Sequence, residues 1–477
     1  MSKESKHIAL KLYDTMSGRK KAVAPLSGNC IRMYACGPTV YNYAHIGNYR
    51  TYIFEDLLQR TIKFFGMDVR LIMNLTDVDD KTIKGASEKG VDLNTFTETY
   101  KKAFFEDLKT LNIEPAKNYP AATEYIEEMI RIVLALKDKG FAYMGDDGSV
   151  YYAINKFSQY GKLSHLKLDE LESGKSKRTS NDEYDKENAS DFVLWKTYDP
   201  KRDGNIFWES PFGRGRPGWH LECSAMAMKL LGNTIDIHAG GIDNIFPHHE
   251  NEIAQSEAYS GQIFSRLWVH SEHLIVDNKK MSKRHGNFYT LRDLLLKGYT
   301  GSQIRYMLLQ THYKTQLNFT IDGLNAAKAS LERLNSFIYR LKKIYANTSS
   351  EKSYAIIKKA QEDFSIALAD DLNISVALSA IFQAVREINA LCDRKDLSQK
   401  EAASIIEDFQ KFNKVLGILS FEEKEEDIPK NIHQMLQERN QARKEKNWEL
   451  ADSLRNAILK EGYLIEDQEN KTYLKKI

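Results

Sequence analysis

Ile31-Arg32-Met33-Tyr34-Ala35-Cys36-Gly37-Pro38-Thr39-Val40-Tyr41-Asn42-Tyr43-Ala44-His45-Ile46-Gly47-Asn48 decides how this chain begins to fold. Ile31 to Cys36 reads as a strand. The glycine-bearing run after it leads into Tyr49–Phe65, where Ile53, Leu57, Ile62 and Phe65 fall near one helical face. Val69 to Met73 is a second apolar run, closed by the acidic turn Asn74-Leu75-Thr76-Asp77-Val78-Asp79-Asp80. Strand, helix, strand and polar loop open a parallel α/β sheet. Ligands gather at the carboxyl ends of such strands, where Cys36, Gly37 and Thr76 are expected.

Outward from that unit, the pattern changes from about Pro115 to Pro217. Gly145 to Gly148 makes a tight turn before Val150–Ile154, and Ser173–Ser190 is a polar run. The stretch reads as an insertion. The α/β pattern resumes near Gly218, with helical character at Leu221–Leu231 and His248–Tyr259 and strand character at Thr234–His238 and Leu267–Val276. A basic loop follows at Asn278–Gly286. Beyond Leu317 the pattern is nearly all helical to Phe421. Glu422–Asp427 reads as a linker, and two helical stretches flank Asn447-Trp448 before short apolar segments at Tyr463–Ile465 and Thr472–Leu474.

The 477 residues suit about three domains at ~150 residues each. Hydrophobic residues at 42% and charged residues at 28% exclude a disordered or fibrous chain. A net charge of +2 does not advertise a polyanion partner, so any such partner needs a local basic patch. No run of about 18 apolar residues stands out, and Met1–Ser5 lacks the apolar core of a secretory signal, so a cytoplasmic protein with no membrane partner is expected. Four cysteines, Cys30, Cys36, Cys223 and Cys392, are too few for a disulfide framework; metal binding, catalysis or burial remain for them.

Three clusters carry chemistry. In Gly37–Asn48 a helix N-terminus follows a strand, a natural phosphate site, with His45 and Asn48 as hydrogen-bonding groups; a plain capped helix is the alternative. In Lys279-Lys280-Met281-Ser282-Lys283-Arg284-His285-Gly286 four cations in six residues can neutralise a phosphoryl transition state, or can form a solvated turn. In the third, His248 and Glu252 share a helix face, and with Cys36 and Cys223 they form a donor set suited to Zn²⁺; inert buried cysteines are the alternative. Asp79 and its acidic neighbours are expected to cap a helix rather than bind Mg²⁺. His249 is expected to pack or hydrogen-bond, Cys30 and Cys392 to be buried.

The first two clusters resemble the HIGH and KMSKS signatures of class I aminoacyl-tRNA synthetases, with Asn48 in the last place of the first and Arg284 in place of the final Ser of the second. With Met33–Tyr41, Asn74–Lys81, Gly218–Ser224 and Phe246–Ser256, the chain resembles the cysteinyl-tRNA synthetase family from about residue 8 to its end. That resemblance implies a fold: a Rossmann-like parallel-sheet catalytic domain with an inserted connective region, an α-helical bundle, and a small C-terminal α+β unit. The expected boundaries are 1–115 and 218–316 for the two catalytic halves, 116–217 for the insertion, 317–427 for the tRNA-binding bundle and 428–477 for the anticodon-binding unit.

The resemblance also implies a zinc ion on Cys36, Cys223, His248 and Glu252; because four protein ligands leave no open position, Glu252 is the expected weaker ligand. It implies a cysteine pocket lined by Cys36, Thr76 and Trp219, and an ATP site at Gly37, His45, Gly47, Asn48 and Lys283. His45, Asn48, Lys280 and Lys283 would stabilise phosphate charge. The implied substrates are L-cysteine, Mg·ATP and tRNA(Cys), with a monomeric enzyme. In the end unit Arg439, Arg443, Lys444, Lys446, Trp448 and Arg455 suit unpaired anticodon bases, and Tyr473 stands where members often carry Trp. Two rivals are a ligase that joins cysteine to an amino sugar and a tRNA-binding paralogue without catalysis. The stretch Asn431–Ile477 argues against the first, and the complete zinc set against the second.

Overall fold

The computed structural model describes residues 8–166, 191–282, 286–347, 352–421, 429–468 and 471–476. Lys283, Arg284, His285, Met1–Ser5, the Ser173–Ser190 run, the Glu422–Asp427 linker and the Tyr473 side chain lie outside the described residues. The chain divides into two compact units, Met1–Leu419 and Ser420–Ile477.

In the larger unit, β1 (Lys11–Asp14) and β2 (Arg19–Ala22) form an antiparallel hairpin. Then come β3 (Cys30–Ala35), the helix Ile46–Phe64 and β4 (Asp68–Met73), which lies parallel to β3. The insertion contributes β5 (Ala142–Met144), β6 (Val150–Tyr152), β7 (Phe192–Thr197) and β8 (Gly215–Pro217), antiparallel in that order. After the helix Trp219–Leu231, β9 (Ile235–Gly241) and β10 (Ser265–Ser271) join the parallel sheet, whose order is β10-β9-β3-β4. The chain runs outward from β3 to β4, then returns to the far side of β3 as β9. The topological switch therefore lies between β3 and β9, with Tyr34 opposite His238 and Ala35 opposite Ala239.

β3 buries Ile31, Met33, Tyr34 and Ala35 and β9 buries Ile235 to Gly240, so both faces are covered there, as in the strands of a parallel sheet. Tyr34 and Ile72 share one core with Val150, Leu194, Trp195, Leu221 and Met226, so the insertion packs onto the sheet. Backbones meet closely where the loops leave it. A Cβ at Gly37 would lie 1.8 Å from the Asn74 carbonyl oxygen, and one at Gly218 2.0 Å from that of Val193, which no other residue type tolerates.

The Leu267–Val276 run, expected to be one strand, breaks at Glu272-His273. It becomes β10 of the parallel sheet and β11 (Leu274–Val276) of another, which pairs with β12 (Lys279–Lys280) and β13 (Leu317–Phe319). The helices Ile321–Lys342, Lys352–Ala369, Ile374–Asp393 and Gln399–Leu416 follow. Ile374–Asp393 is long and apolar enough to cross a membrane by length and composition, although Gln383, Arg386, Glu387 and Asn389 interrupt its apolar run. It buries Ala377, Ile381, Ala384 and Ile388, three or four residues apart, as a bundle helix does.

The smaller unit holds the helices Lys430–Lys444 and Trp448–Lys460 and the antiparallel pair β14 (Tyr463–Gln468) and β15 (Lys471–Lys476). Ile432, Ile458, Tyr463 and Ile465 make its core. Trp448 is 58% exposed, whereas Arg439 is 3% exposed and bonds to Asn440, so it does not join a basic face. Cys30 and Cys392 are half-buried rather than buried.

Candidate active site and metal centre

Cys36 follows β3 at the switch point. Cys223 lies on the Trp219–Leu231 helix, and His248 and Glu252 flank the start of the Glu250–Ser260 helix. One donor atom from each of the four lies within 4.8 Å of the others; Cys223, His248 and Glu252 are buried and Cys36 is half-buried. A second set sharing two members, Cys36, His238, His249 and Glu252, meets the same criterion. The two sets share one hydrogen-bonding pattern. His248 Nε2 lies 3.2 Å from Glu252 Oε1, while its Nδ1 lies 3.0 Å from His220 Nδ1. Glu252 Oε2 lies 2.9 Å from His238 Nε2. Each of these donors thus has one atom aimed inward and the other held by a histidine outside, the arrangement that orients metal ligands. His249 Nε2 lies 3.2 Å from Cys36 Sγ and its Nδ1 2.8 Å from His270 Nε2, while His270 Nδ1 lies 2.7 Å from Thr15 Oγ1.

The electrostatics suit a cation. Burial raises the Cys36 thiol, with Cys223 and Glu252 adding to the shift, and burial raises Glu252. Burial also lowers His248 well below the usual imidazole range, leaving it neutral and able to ligate. Ionising the Cys36 thiol and the Glu252 carboxyl there is costly, and a divalent ion removes that penalty. The donors present therefore fit zinc.

Trp219 and Thr76, expected to line a cysteine pocket, each contact an element that carries the cluster. Trp219 stacks on the His248 ring with centroids 4.3 Å apart. The loops after β3 and β4 are zipped by Val40 N–H donating to Thr76 O and Thr76 N–H to Pro38 O, both at 3.0 Å. The Thr76 hydroxyl donates to Glu222 Oε2 at 3.0 Å.

His45 caps the Ile46–Phe64 helix. Its Nδ1 accepts from Asn48 N–H at 3.2 Å, and the Asn48 side-chain oxygen accepts from His45 N–H at 3.0 Å. Asn48 therefore completes a reciprocal cap, which explains how an amide serves in that place. The basic loop meets the same turn. Ile46 N–H donates to Tyr289 O at 3.0 Å, the His45 and Phe288 rings meet edge to face, and Met281 reaches Gly47. Lys280 sits exposed on β12 and Lys283 lies outside the described residues. Asp79 caps the Asp80–Lys89 helix, accepting from Thr82 N–H, in agreement with the sequence reading; Asp77 pairs with Lys101, and Asp80 with Lys196 and Arg216.

Comparisons with known proteins agree with this architecture. The family described as tRNA synthetases class I (C) catalytic domain matches residues 22–329, a DALR domain matches 363–420, and a cysteinyl-tRNA ligase anticodon binding domain matches 425–474. The cysteine–tRNA ligase of Protochlamydia amoebophila is 61% identical over 99% of this chain and 98% of its own length. The chain belongs to the cysteine–tRNA ligase family. The cysteine–tRNA ligase of Chlamydia caviae is 55% identical over 100% of this chain and 99% of its own. Among solved structures, Mycobacterium tuberculosis methionyl-tRNA synthetase in complex with methionyl-adenylate shares the fold at a TM-score of 0.56 and 15% identity, covering 82% of this chain and 90% of that one. Agrobacterium radiobacter leucyl-tRNA synthetase does so at 0.60 and 12%, covering 83% and 85%.

For a cysteine–tRNA ligase, the sequence reading overlooked several residues at this site. His220, His238 and His270 surround the cluster, Glu222 and Asn74 hold Thr76, and Asn287 ties down the base of the basic loop. Its side-chain oxygen accepts from Ser282 N–H at 2.8 Å and its amide donates to Lys280 O at 3.2 Å. Histidine at a strand's carboxyl end was a readable signal for His238. Nothing local marks His270 or Asn287.

Proposed function

We propose that this enzyme activates L-cysteine with Mg·ATP and transfers it to the 3′-terminal adenosine of tRNA(Cys), acting as a monomer in the cytoplasm. The buried thiol–imidazole–carboxylate cluster at the β3/β9 switch point carries this reading. Cys36, Cys223, His248 and Glu252 would hold zinc. Bound there, zinc would favour the substrate's thiolate over serine's hydroxyl, a distinction that an apolar pocket makes only about 10–200-fold.

The chain's own residues do the rest. Thr76 and Trp219 line the amino-acid pocket beside the cluster. The cysteine carboxylate oxygen attacks the α-phosphorus of ATP; the new O–P bond forms as the bond to pyrophosphate breaks. Gly37, Gly47, His45 and Asn48 position the phosphates at the helix N-terminus, and Lys280 and Lys283 stabilise the charge. A ribose hydroxyl of the tRNA, which the family resemblance suggests is the 2′ group, then attacks the activated carbonyl and AMP leaves. No protein nucleophile takes part, so catalysis is positioning and electrostatics. Exposed Trp448 and the cations beside it in the end unit serve the anticodon.

The test is charging of a competent tRNA pool with labelled cysteine, with the zinc content of the enzyme measured in parallel. Formation of cysteinyl-tRNA, with about one zinc per chain, is the expected outcome. Adenylate formation without transfer to tRNA would point to the amino-sugar ligase, and no activation at all to a tRNA-binding paralogue. The match of an anticodon binding domain to 425–474 weighs against the first.

A further inference from the structure

Glu222 is 1% exposed, sits in the first turn of the Trp219–Leu231 helix, and has a role in no step above. Its Oε2 accepts from the Thr76 hydroxyl at 3.0 Å, and its Oε1 has no hydrogen-bond partner among the described residues. A carboxylate that holds structure together is saturated, and nearby Glu250 shows this: it accepts from Gly161, Leu163 and Ser164 N–H and from the Ser164 hydroxyl, all at 2.8–3.0 Å. Among the described residues, Glu222 is kept buried with Thr76 as its one side-chain donor.

The direction of these bonds is determined from the other end. Gly37 N–H donates to the Asn74 side-chain oxygen at 2.8 Å, which turns the Asn74 amide nitrogen towards Thr76 Oγ1, 3.1 Å away. Thr76 therefore accepts from Asn74 and gives its only hydroxyl hydrogen to Glu222. A hydroxyl has one hydrogen and two lone pairs, so one lone pair remains. A hydroxyl presented in that state accepts and cannot donate. It suits an ammonium group and not a carboxylate.

We infer that Glu222 is a positioning residue for amino-acid recognition, setting the Thr76 hydroxyl as an acceptor for the substrate's α-ammonium group. The inference rests on the reading that Thr76 lines the cysteine pocket. Glu222 acts through Thr76 and touches no reacting atom.

The experiment compares L-cysteine with 3-mercaptopropionate, which keeps the thiol and carboxylate and lacks the amino group. Cysteine-dependent pyrophosphate exchange gives KM and kcat, and competition gives the inhibition constant of the analogue. Glu222→Gln is expected to raise the cysteine KM at least about tenfold, with a smaller change in kcat and with the analogue's constant held within about twofold. Thr76→Val is expected to do the same, and the double variant to be no worse than either single one, because both remove one interaction. A folded Glu222→Leu gives the same readout where the amide variant does not fold. A parallel rise for cysteine and analogue, or an unchanged KM in the Glu222 variants beside a raised one in Thr76→Val, overturns the inference. An unchanged KM in Thr76→Val overturns the pocket reading on which it rests.

Discussion

His238 Nε2 lies 2.9 Å from Glu252 Oε2, and neither side chain reaches solvent. His238 comes from β9 and Glu252 from the helix that follows, so this bond ties β9 to the candidate metal cluster. Burial pushes the His238 imidazole down to about 3, so it is neutral near pH 7 and orients the carboxylate without competing as a cation. Its partner oxygen turns outward, leaving Glu252 Oε1 facing His248.

His238→Ala should therefore lower zinc affinity about 10–100-fold while all four proposed ligands remain. Titration against a chromophoric chelator measures it. Unchanged affinity would make His238 a packing residue.

A Cβ built on Gly47 would lie 3.0 Å from the His45 ring and 3.4 Å from the Met281 methyl carbon. Gly47→Ala should thus press on His45 and on the basic loop together. Displacement of about 1 Å at reacting groups costs on the order of 100-fold in rate. Pyrophosphate exchange should fall by about that factor with the melting temperature little changed; a rate near wild type would show that the loop yields freely.

Glu55 lies on the helix that His45 caps, fully buried, with no partner for either carboxylate oxygen among the described residues. Burial raises its pKa well above the usual carboxylate range. The folded chain then binds more protons than the unfolded one, so stability present at low pH is lost as pH rises from about 4 towards the raised value. Glu55→Gln removes that loss. The variant's advantage over wild type should grow by on the order of 1 kcal/mol per pH unit across this window. Melting temperatures at pH 5.5 and 7.5 test it, and a constant difference would refute a raised carboxyl.

Arg305 is fully buried and donates to Asp56 Oδ2 at 2.5 Å, to Leu416 O at 2.7 Å, and to Leu111 O and Asn112 O at 3.2 Å. It links the His45-capped helix to the last helix of the bundle. Arg305→Ala leaves Asp56 partly uncompensated, since Arg60 remains as its other cation at 2.8 Å. Removing one partner of a buried pair typically costs about 3–5 kcal/mol, and Arg60 places this case towards the lower end. Denaturant unfolding followed in the larger unit checks the loss.

Local pattern carried the strand–helix–strand opening, because apolar periodicity and a helix cap are properties of adjacent residues. It carried the Asp79 cap for the same reason. It failed at Glu272-His273, where strand-like composition continues but the chain changes sheets, and at Arg439, whose burial depends on packing within the small unit.

By itself the sequence determined the α/β class, the order of the segments and the residue types able to ligate a soft-leaning metal or meet phosphate. The tertiary structure alone decided which of those residues are neighbours. Cys36 and Cys223 are distant in the chain and meet only because β9 returns beside β3 and the helix before it crosses the same strand end. The hydrogen-bond partners of His220, His238, His248 and His249 were decided there too. Which imidazole faces the cluster and which stands behind it depends on hydrogen bonds between separate elements, and no spacing along one chain encodes those.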